Sequence, residues 1–301
     1  MTKLQHIING AKVNGTSDSI FEIYNPSTGK IVTKMQGAGS EDVKKAIDAA
    51  HDAFEGWKKV SPSMRAQIMF NYRDLLNKNL YELAELISRE HGKTLADAKG
   101  EVLRGLEVVE FCTSINSHLK SDFTADVSSS IDSYNLRQPL GVCAGITPFN
   151  FPAMVPMWMY PVAIACGNTF VLKLSERDPS CGLRLTELMA EAGLPDGVLN
   201  TVVGDKEAVD EILHNPKVAA VSFVGSTSVG EYIYQEGCSN NKRVQALCGA
   251  KNHMIVMPDA SLDQSCEAIL GAAYGSAGER CMAVSVVVAV GNEIADRIVE
   301  Q

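Results

Sequence analysis

The sequence predicts an α/β fold, an open parallel sheet of Rossmann type with helices on both faces, and three observations predict it. From Gly141 onward, short β-branched runs at 142–146, 169–173, 198–203, 218–224 and 243–247 alternate with helical stretches at 154–165, 181–192, 208–214 and 229–238. Strands separated by helices are joined by crossovers and pair in parallel, covered on both faces. Residues suited to ligand contact follow the carboxyl ends of these strands, where open sheets bind their ligands. Finally, 301 residues with 46% hydrophobic content can bury a large core and suffice for about two domains.

The elements before Gly141 are read in order. Turn signals at Ile8-Asn9-Gly10 and Asn25-Pro26-Ser27-Thr28-Gly29 flank β-prone runs such as Ile20 to Ile23. Four helices follow. Ser40 is placed as the cap of the first, with Glu41 and Asp42 in its first turn and Val43, Ile47, Ala50, Phe54 and Trp57 on its apolar face. Pro62 opens the second, with Ile68, Met69, Tyr72, Leu75 and Leu76 inward. The third spans 80–90 and stops at Gly92; the fourth spans 94–119, although Gly100 and Gly105 weaken it. Residues 122–140 are polar, with alternating Ile131, Tyr134 and Leu136, and read either as an arm that pairs with another subunit or as a solvated hairpin. After the fifth parallel strand come a strand at 254–257 and an amphipathic helix at 263–274.

Composition excludes several functions. The net charge of −9 argues against nucleic-acid and membrane-surface partners. No apolar run is long enough to span a bilayer, and the first residues lack the features of a secretory or transit peptide. The eight cysteines show no C-x-x-C spacing and no neighbouring histidine. Reduced thiols in a cytoplasmic protein are expected, with neither a disulfide framework nor a metal site.

The strand ends carry the chemistry. After the first parallel strand, Thr147-Pro148-Phe149-Asn150-Phe151-Pro152 stiffens an Asn between two prolines. Its amide can stabilise an oxyanion, although a capping Asn in a rigid turn would read the same. After the second, Glu176 in Lys173-Leu174-Ser175-Glu176-Arg177-Asp178-Pro179 can accept the hydroxyls of an adenosine ribose and would repel a 2′-phosphate, favouring NAD over NADP. A solvated charge cluster is the alternative. After the fourth, Gly225-Ser226-Thr227-Ser228-Val229-Gly230 opens a helix, as phosphate sites do. Last, Gly275-Ser276-Ala277-Gly278-Glu279-Arg280-Cys281-Met282-Ala283 sets a cysteine in a small-residue turn beside an arginine. A guanidinium beside a thiol favours the nucleophilic thiolate; a buried structural cysteine is the alternative.

In order and spacing these four segments resemble the aldehyde dehydrogenase superfamily across essentially the whole chain. The resemblance is closest to its CoA-acylating methylmalonate-semialdehyde dehydrogenase branch, through Gly249 to His253 and Gly275 to Ala283. It implies NAD as cofactor and CoA as co-substrate. The expected reaction turns methylmalonate (or malonate) semialdehyde into propionyl-CoA (or acetyl-CoA), NADH and CO₂, as in valine or inositol breakdown, within a homo-oligomer, a dimer or tetramer. Carried over by motif, Cys281 is the nucleophile, and Asn150 with the Cys281 N–H forms the oxyanion hole. Thr147, Pro148, Phe149, Lys173, Glu176, Arg177, Gly225 and Ser226 face NAD, and Arg104 and Arg280 take the substrate carboxylate. Without the family, Arg104 reads as one partner of a surface ion pair with Glu101 or Glu107.

The resemblance also divides the chain. It places an NAD-binding domain at 1–121 and 142–248, an oligomerisation arm at 122–141 and the start of a truncated α/β catalytic domain at 249–301. Relatives continue further, so the chain is expected to be an N-terminal fragment. Leu247 stands where hydrolytic members carry a glutamate base, and leucine cannot take a proton. Leu174, Cys248 and Val284 depart from the branch's usual proline, threonine and small residue. A hydrolytic semialdehyde dehydrogenase and a non-catalytic NAD-binding or oligomerisation module are the rival readings.

Overall fold

The computed structural model describes residues 3–301. At the N-terminus, β1 (His6–Ile8) and β2 (Ala11–Val13) form a hairpin, followed by β3 (Ile20–Asn25) and β4 (Lys30–Gln36). The first hairpin turns on Asn9 and Gly10, both left-handed at φ 50° and 74°. This is the pair of angles for which Asn-Gly is suited. The sequence showed the turn but not its destination: Ile7 of β1 pairs with Thr201, which attaches the hairpin antiparallel to the main sheet.

The helical block comprises α1 (Ser40–Trp57), α2 (Pro62–Lys78), α3 (Leu80–His91), α4 (Leu95–Thr113) and α5 (Ile115–His118). Two expectations are corrected. The residue capping α1 is Gly39, not Ser40; Asp42 Oδ2 accepts from Gly39 N at 3.2 Å, while Ser40 Oγ donates to Glu211 at 2.8 Å. The helix expected over 94–119 breaks after Thr113. There the Thr113 and Ser114 hydroxyls donate to the carbonyls of Glu110 and Phe111, and Ser114 N bonds Phe111 O, tightening the last turn.

An exposed hairpin, β5 (Phe123–Ser128) with β6 (Ile131–Tyr134), precedes the α/β core. The core runs β7 (Val142–Ile146), α6 (Met154–Ala165), β8 (Thr169–Leu174), α7 (Pro179–Glu191), β9 (Leu199–Val203), α8 (Lys206–His214), β10 (Val218–Val224), α9 (Thr227–Ser239) and β11 (Arg243–Leu247). The chain ends with β12 (Asn252–Val256), α10 (Leu262–Tyr274), β13 (Val284–Ala289) and α11 (Asn292–Glu300), in which β12 and β13 make a separate parallel pair.

The seven-stranded sheet has the order β11-β10-β7-β8-β9-β1-β2, and β7 to β11 are parallel. β7, β8 and β9 advance to one side; the chain then returns to lay β10 on the other side of β7. That reversal opens a crevice beyond the carboxyl ends of β7 and β10. One core, with Tyr72, Met157 and Tyr160, packs α2, α3, α4, α6 and α7 on one face of the sheet. The other, with Val43, Ile47 and Ile212, packs α1 and α8 on the opposite face. The central strands β7, β8 and β9 are buried throughout, as parallel strands covered twice should be. Leu174 extends β8 to pair with Val203, where a proline would supply no amide, and it is buried against Gly182. Among the described residues no helix is long and apolar enough to cross a membrane.

Candidate active site

Cys281 lies in the loop between α10 and β13. Ser276, Ala277 and Gly278 there take left-handed angles (φ 57°, 56° and 75°). For serine and alanine this costs about 1 kcal/mol or more each, so surrounding bonds must hold it. Asp97, in the first turn of α4, accepts from Ser276 N at 3.2 Å and from Arg280 Nη2 at 3.0 Å. From the other side, Asn252 Nδ2 donates to Cys281 O and Ala283 O, both at 3.0 Å. The Cys281 residue is exposed.

Asn150 is brought to this loop by the turn between β7 and α6. Its Nδ2 donates to Glu279 O at 2.8 Å, two residues before Cys281. A side-chain amide carries two donors, so one remains for an oxyanion. Beneath the turn, Lys93 Nζ reaches Glu101 Oε2 and Asn150 O, each at 2.7 Å. Glu101 Oε1 accepts from Ala153 N at 2.8 Å and Met154 N at 3.2 Å. The surface pairing of Arg104 with Glu101 is thereby corrected: Glu101 is buried on Lys93, and among the described residues Arg104 makes no ion pair.

Arg104 and Arg280 do come together. They line one pocket of about 240 Å³ with Gly100, Phe151 and Ser276. Arg280 spends one N–H on Asp97 and Arg104 is exposed, which leaves the planar donors of both guanidinium groups for a carboxylate.

A second cleft of about 680 Å³ opens at the carboxyl ends of β7, β8, β9 and β10, lined by Thr147, Pro148, Phe149, Lys173, Glu176, Arg177, Gly225 and Ser226. Its volume is that of a small-molecule site. Lys173 is buried, which lowers its pKa, against the opposing pull of Glu176, whose carboxylate lies 3.7 Å from Nζ. Arg177 stacks over the Phe149 ring at 4.5 Å. The N-terminus of α9 has no side-chain cap, so its first amides are open to an anion. Gly225 N, by contrast, is already bonded to Leu247 O at 3.1 Å, and Thr147 Oγ1 to Lys173 O at 3.3 Å. A dinucleotide fits this donor set, with carboxylate and ammonium at one end and the bare helix N-terminus at the other. Among the described residues no group of His, Cys, Asp and Glu could hold a metal ion.

The model of the aldehyde dehydrogenase family matches residues 12–301. The chain belongs to the aldehyde dehydrogenase family. It is 56% identical over 301 residues to a malonate-semialdehyde dehydrogenase of Pseudomonas aeruginosa, covering 99% of this chain and 60% of that one. A mitochondrial protein of Dictyostelium discoideum, provisionally named an acylating methylmalonate-semialdehyde/malonate-semialdehyde dehydrogenase, is 50% identical, over 96% of this chain and 54% of the relative. A crystal structure from Sinorhizobium meliloti 1021, complexed with NAD and provisionally assigned as a methylmalonate-semialdehyde dehydrogenase, superposes with a TM-score of 0.97 at 54% identity; it covers 100% of this chain and 61% of that one. The aldehyde dehydrogenase chain therefore spans about 60% of the length of such relatives.

Lys93, Asp97, Glu101 and Asn252 hold this site in place, yet none was singled out as a site residue from sequence. For Asp97 the only signal was its place three residues after Thr94, whose Oγ1 caps α4 by accepting from Asp97 N.

Proposed function

We propose that the protein carries out NAD- and CoA-dependent oxidative decarboxylation of methylmalonate or malonate semialdehyde through a thioester on Cys281. The observation that carries this reading is the meeting of Asn150 with the Cys281 loop, beside a pocket holding Arg104 and Arg280. The names of the relatives support the substrate class.

Arg104 and Arg280 hold the substrate carboxylate, which aims the aldehyde at Cys281. The Cys281 thiolate adds to the carbonyl carbon, and the negative charge moves to oxygen. There the free N–H of Asn150 and the Cys281 amide stabilise it. Lys173, Glu176 and the α9 N-terminus would hold NAD, which would accept the hydride that leaves the former aldehyde carbon. The carbonyl re-forms as a thioester. The bond to the carboxylate then breaks, its electron pair delocalises into the thioester and is protonated, and CO₂ leaves. The CoA thiol displaces Cys281 and restores the enzyme. In the structure Leu247, at the end of β11, is half-exposed and offers no base to activate water.

NADH formation from methylmalonate semialdehyde, with and without CoA, tests the proposal. Sustained turnover with CoA and a single burst without it are expected. Equal turnover in both would overturn acyl transfer to CoA in favour of the hydrolytic reading.

A further inference from the structure

We infer that Lys93 and Glu101 form a buried bracket that positions Asn150, making both of them positioning residues for acylation of Cys281. The inference rests on the proposed function for its kinetic consequence, but its geometry stands alone. The turn from Thr147 to Ala153 has no regular structure, so its own backbone does not fix where the Asn150 amide points. The bracket grips its second half at two points. Lys93 Nζ holds Asn150 O at 2.7 Å, and Glu101 Oε1 holds the amides of Ala153 and Met154 at 2.8 and 3.2 Å. Between these grips the Phe151 ring lies 4.2 Å from the Lys93 ammonium. Glu101 also serves α6, whose N-cap residue Ala153 supplies no side-chain bond. A carboxylate is favourable at that end of a helix.

The pair's burial argues for positioning over stability. The two side chains are 0% and 1% exposed and 2.7 Å apart. Buried ion pairs commonly add nothing over a well-packed apolar pair of the same volume. Such a pair here would fill the core but leave Asn150 O, Ala153 N and Met154 N without partners. With the backbone clamped at residue 150, one side-chain N–H meets Glu279 O and the other is held toward the nucleophile loop. Glu101 lies in the same α4 that carries Asp97, and Lys93 immediately precedes its cap Thr94, so one helix and its cap set the turn and the Cys281 loop together.

The test is a cycle of variants in the full-length protein: E101Q, N150A and the double change, with K93M/E101L as an apolar replacement that keeps the core filled. The first-turnover NADH rate and the Kd for NAD are measured. E101Q should slow the first turnover by about 10²-fold, as a misplacement near 1 Å does, and leave the Kd for NAD unchanged. In the N150A background the same change should cost less than about twofold, because the bracket acts through Asn150. K93M/E101L should behave as E101Q does. Equal losses in both backgrounds, or a lowered Tm with an unchanged first turnover, would overturn the inference. Should the wild-type protein show no burst, the proposed function fails, and the bracket is then judged by the crystal structure of E101Q. Loss of the bond from Asn150 Nδ2 to Glu279 O supports it, and retention overturns it.

Discussion

His91 shows how one side chain beneath the site contributes to the pH response of the fold. It closes α3, stacks on Phe149 with ring centroids 6.2 Å apart, and is buried. Its Nε2 lies 3.1 Å from Glu279 Oε2, but without the alignment of a hydrogen bond. Burial first, and then the Lys93 ammonium, lowers its pKa from 6.5 to about 4, against Asp97. The native state therefore binds fewer protons than the unfolded state between these values. The stability that His91 contributes is complete above about pH 6.5 and falls as the pH drops toward 4, by about 3 kcal/mol in all. His91→Phe keeps the stacking surface and removes the proton. Denaturant titrations from pH 7 to 4 should show a shallower loss for the variant; an identical slope would mean that another group carries the effect. Nothing in the local sequence marks His91 in this way, since its neutrality comes from Phe149 and Lys93 meeting it in the fold. The meeting of Asn150 with the Cys281 loop was legible because their neighbours form motifs. Lys93 and Asp97 were not, because each acts on a loop more than fifty residues away in sequence.

At the scale of an element, α4 carries two glycines that look equally disruptive in sequence and differ in the fold. At Gly105 an added Cβ would lie 2.2 Å from Met157 Cε and 3.1 Å from Met157 Cβ, so the glycine allows α4 and α6 to approach. Gly100 has nothing within 4 Å of that position, and it faces the pocket of Arg104 and Arg280. Gly105→Ala should destabilise the protein by about 1–3 kcal/mol through overpacking. Gly100→Ala should instead stabilise it by about 0.5–1 kcal/mol, by removing backbone freedom from the unfolded chain. The added methyl group narrows the pocket of Arg104 and Arg280. kcat/KM should then fall more for methylmalonate than for malonate semialdehyde, the former carrying an extra methyl. Thermal melts check the first pair of signs, and competition between the substrates checks the last. The helix itself was expected over 94–119; its break at Ser114 was not, because hydroxyl groups that bond backward and tighten a turn leave no trace in apolar spacing.

At the scale of the molecule, the core sheet followed from the alternation of strands and helices, whereas the β1–β2 hairpin did not announce its place beside β9. Three residues per strand are too few for a periodic signal, and pairing across nearly two hundred residues is set only by the fold. The hairpin of β5 and β6 poses a different question, since every residue of both strands is exposed. Phe123, Ile131, Tyr134 and Leu136 are 64%, 55%, 70% and 71% exposed. Single exposed apolar residues are ordinary, but four on one hairpin and the segment just after it form a surface that association would cover. The free edges of a two-stranded hairpin offer unpaired amides and carbonyls to another strand. Replacing Phe123, Ile131 and Leu136 by serine should lower the molecular mass in solution, read by light scattering at micromolar concentration. It should leave the circular dichroism of the core intact, because those side chains are outside all three buried clusters. An unchanged mass would assign the hairpin to solvent and place subunit contacts elsewhere. A fallen mass with kept NAD affinity would separate assembly from the dinucleotide cleft, whose lining residues all lie in the α/β core from Ile146 to Tyr232.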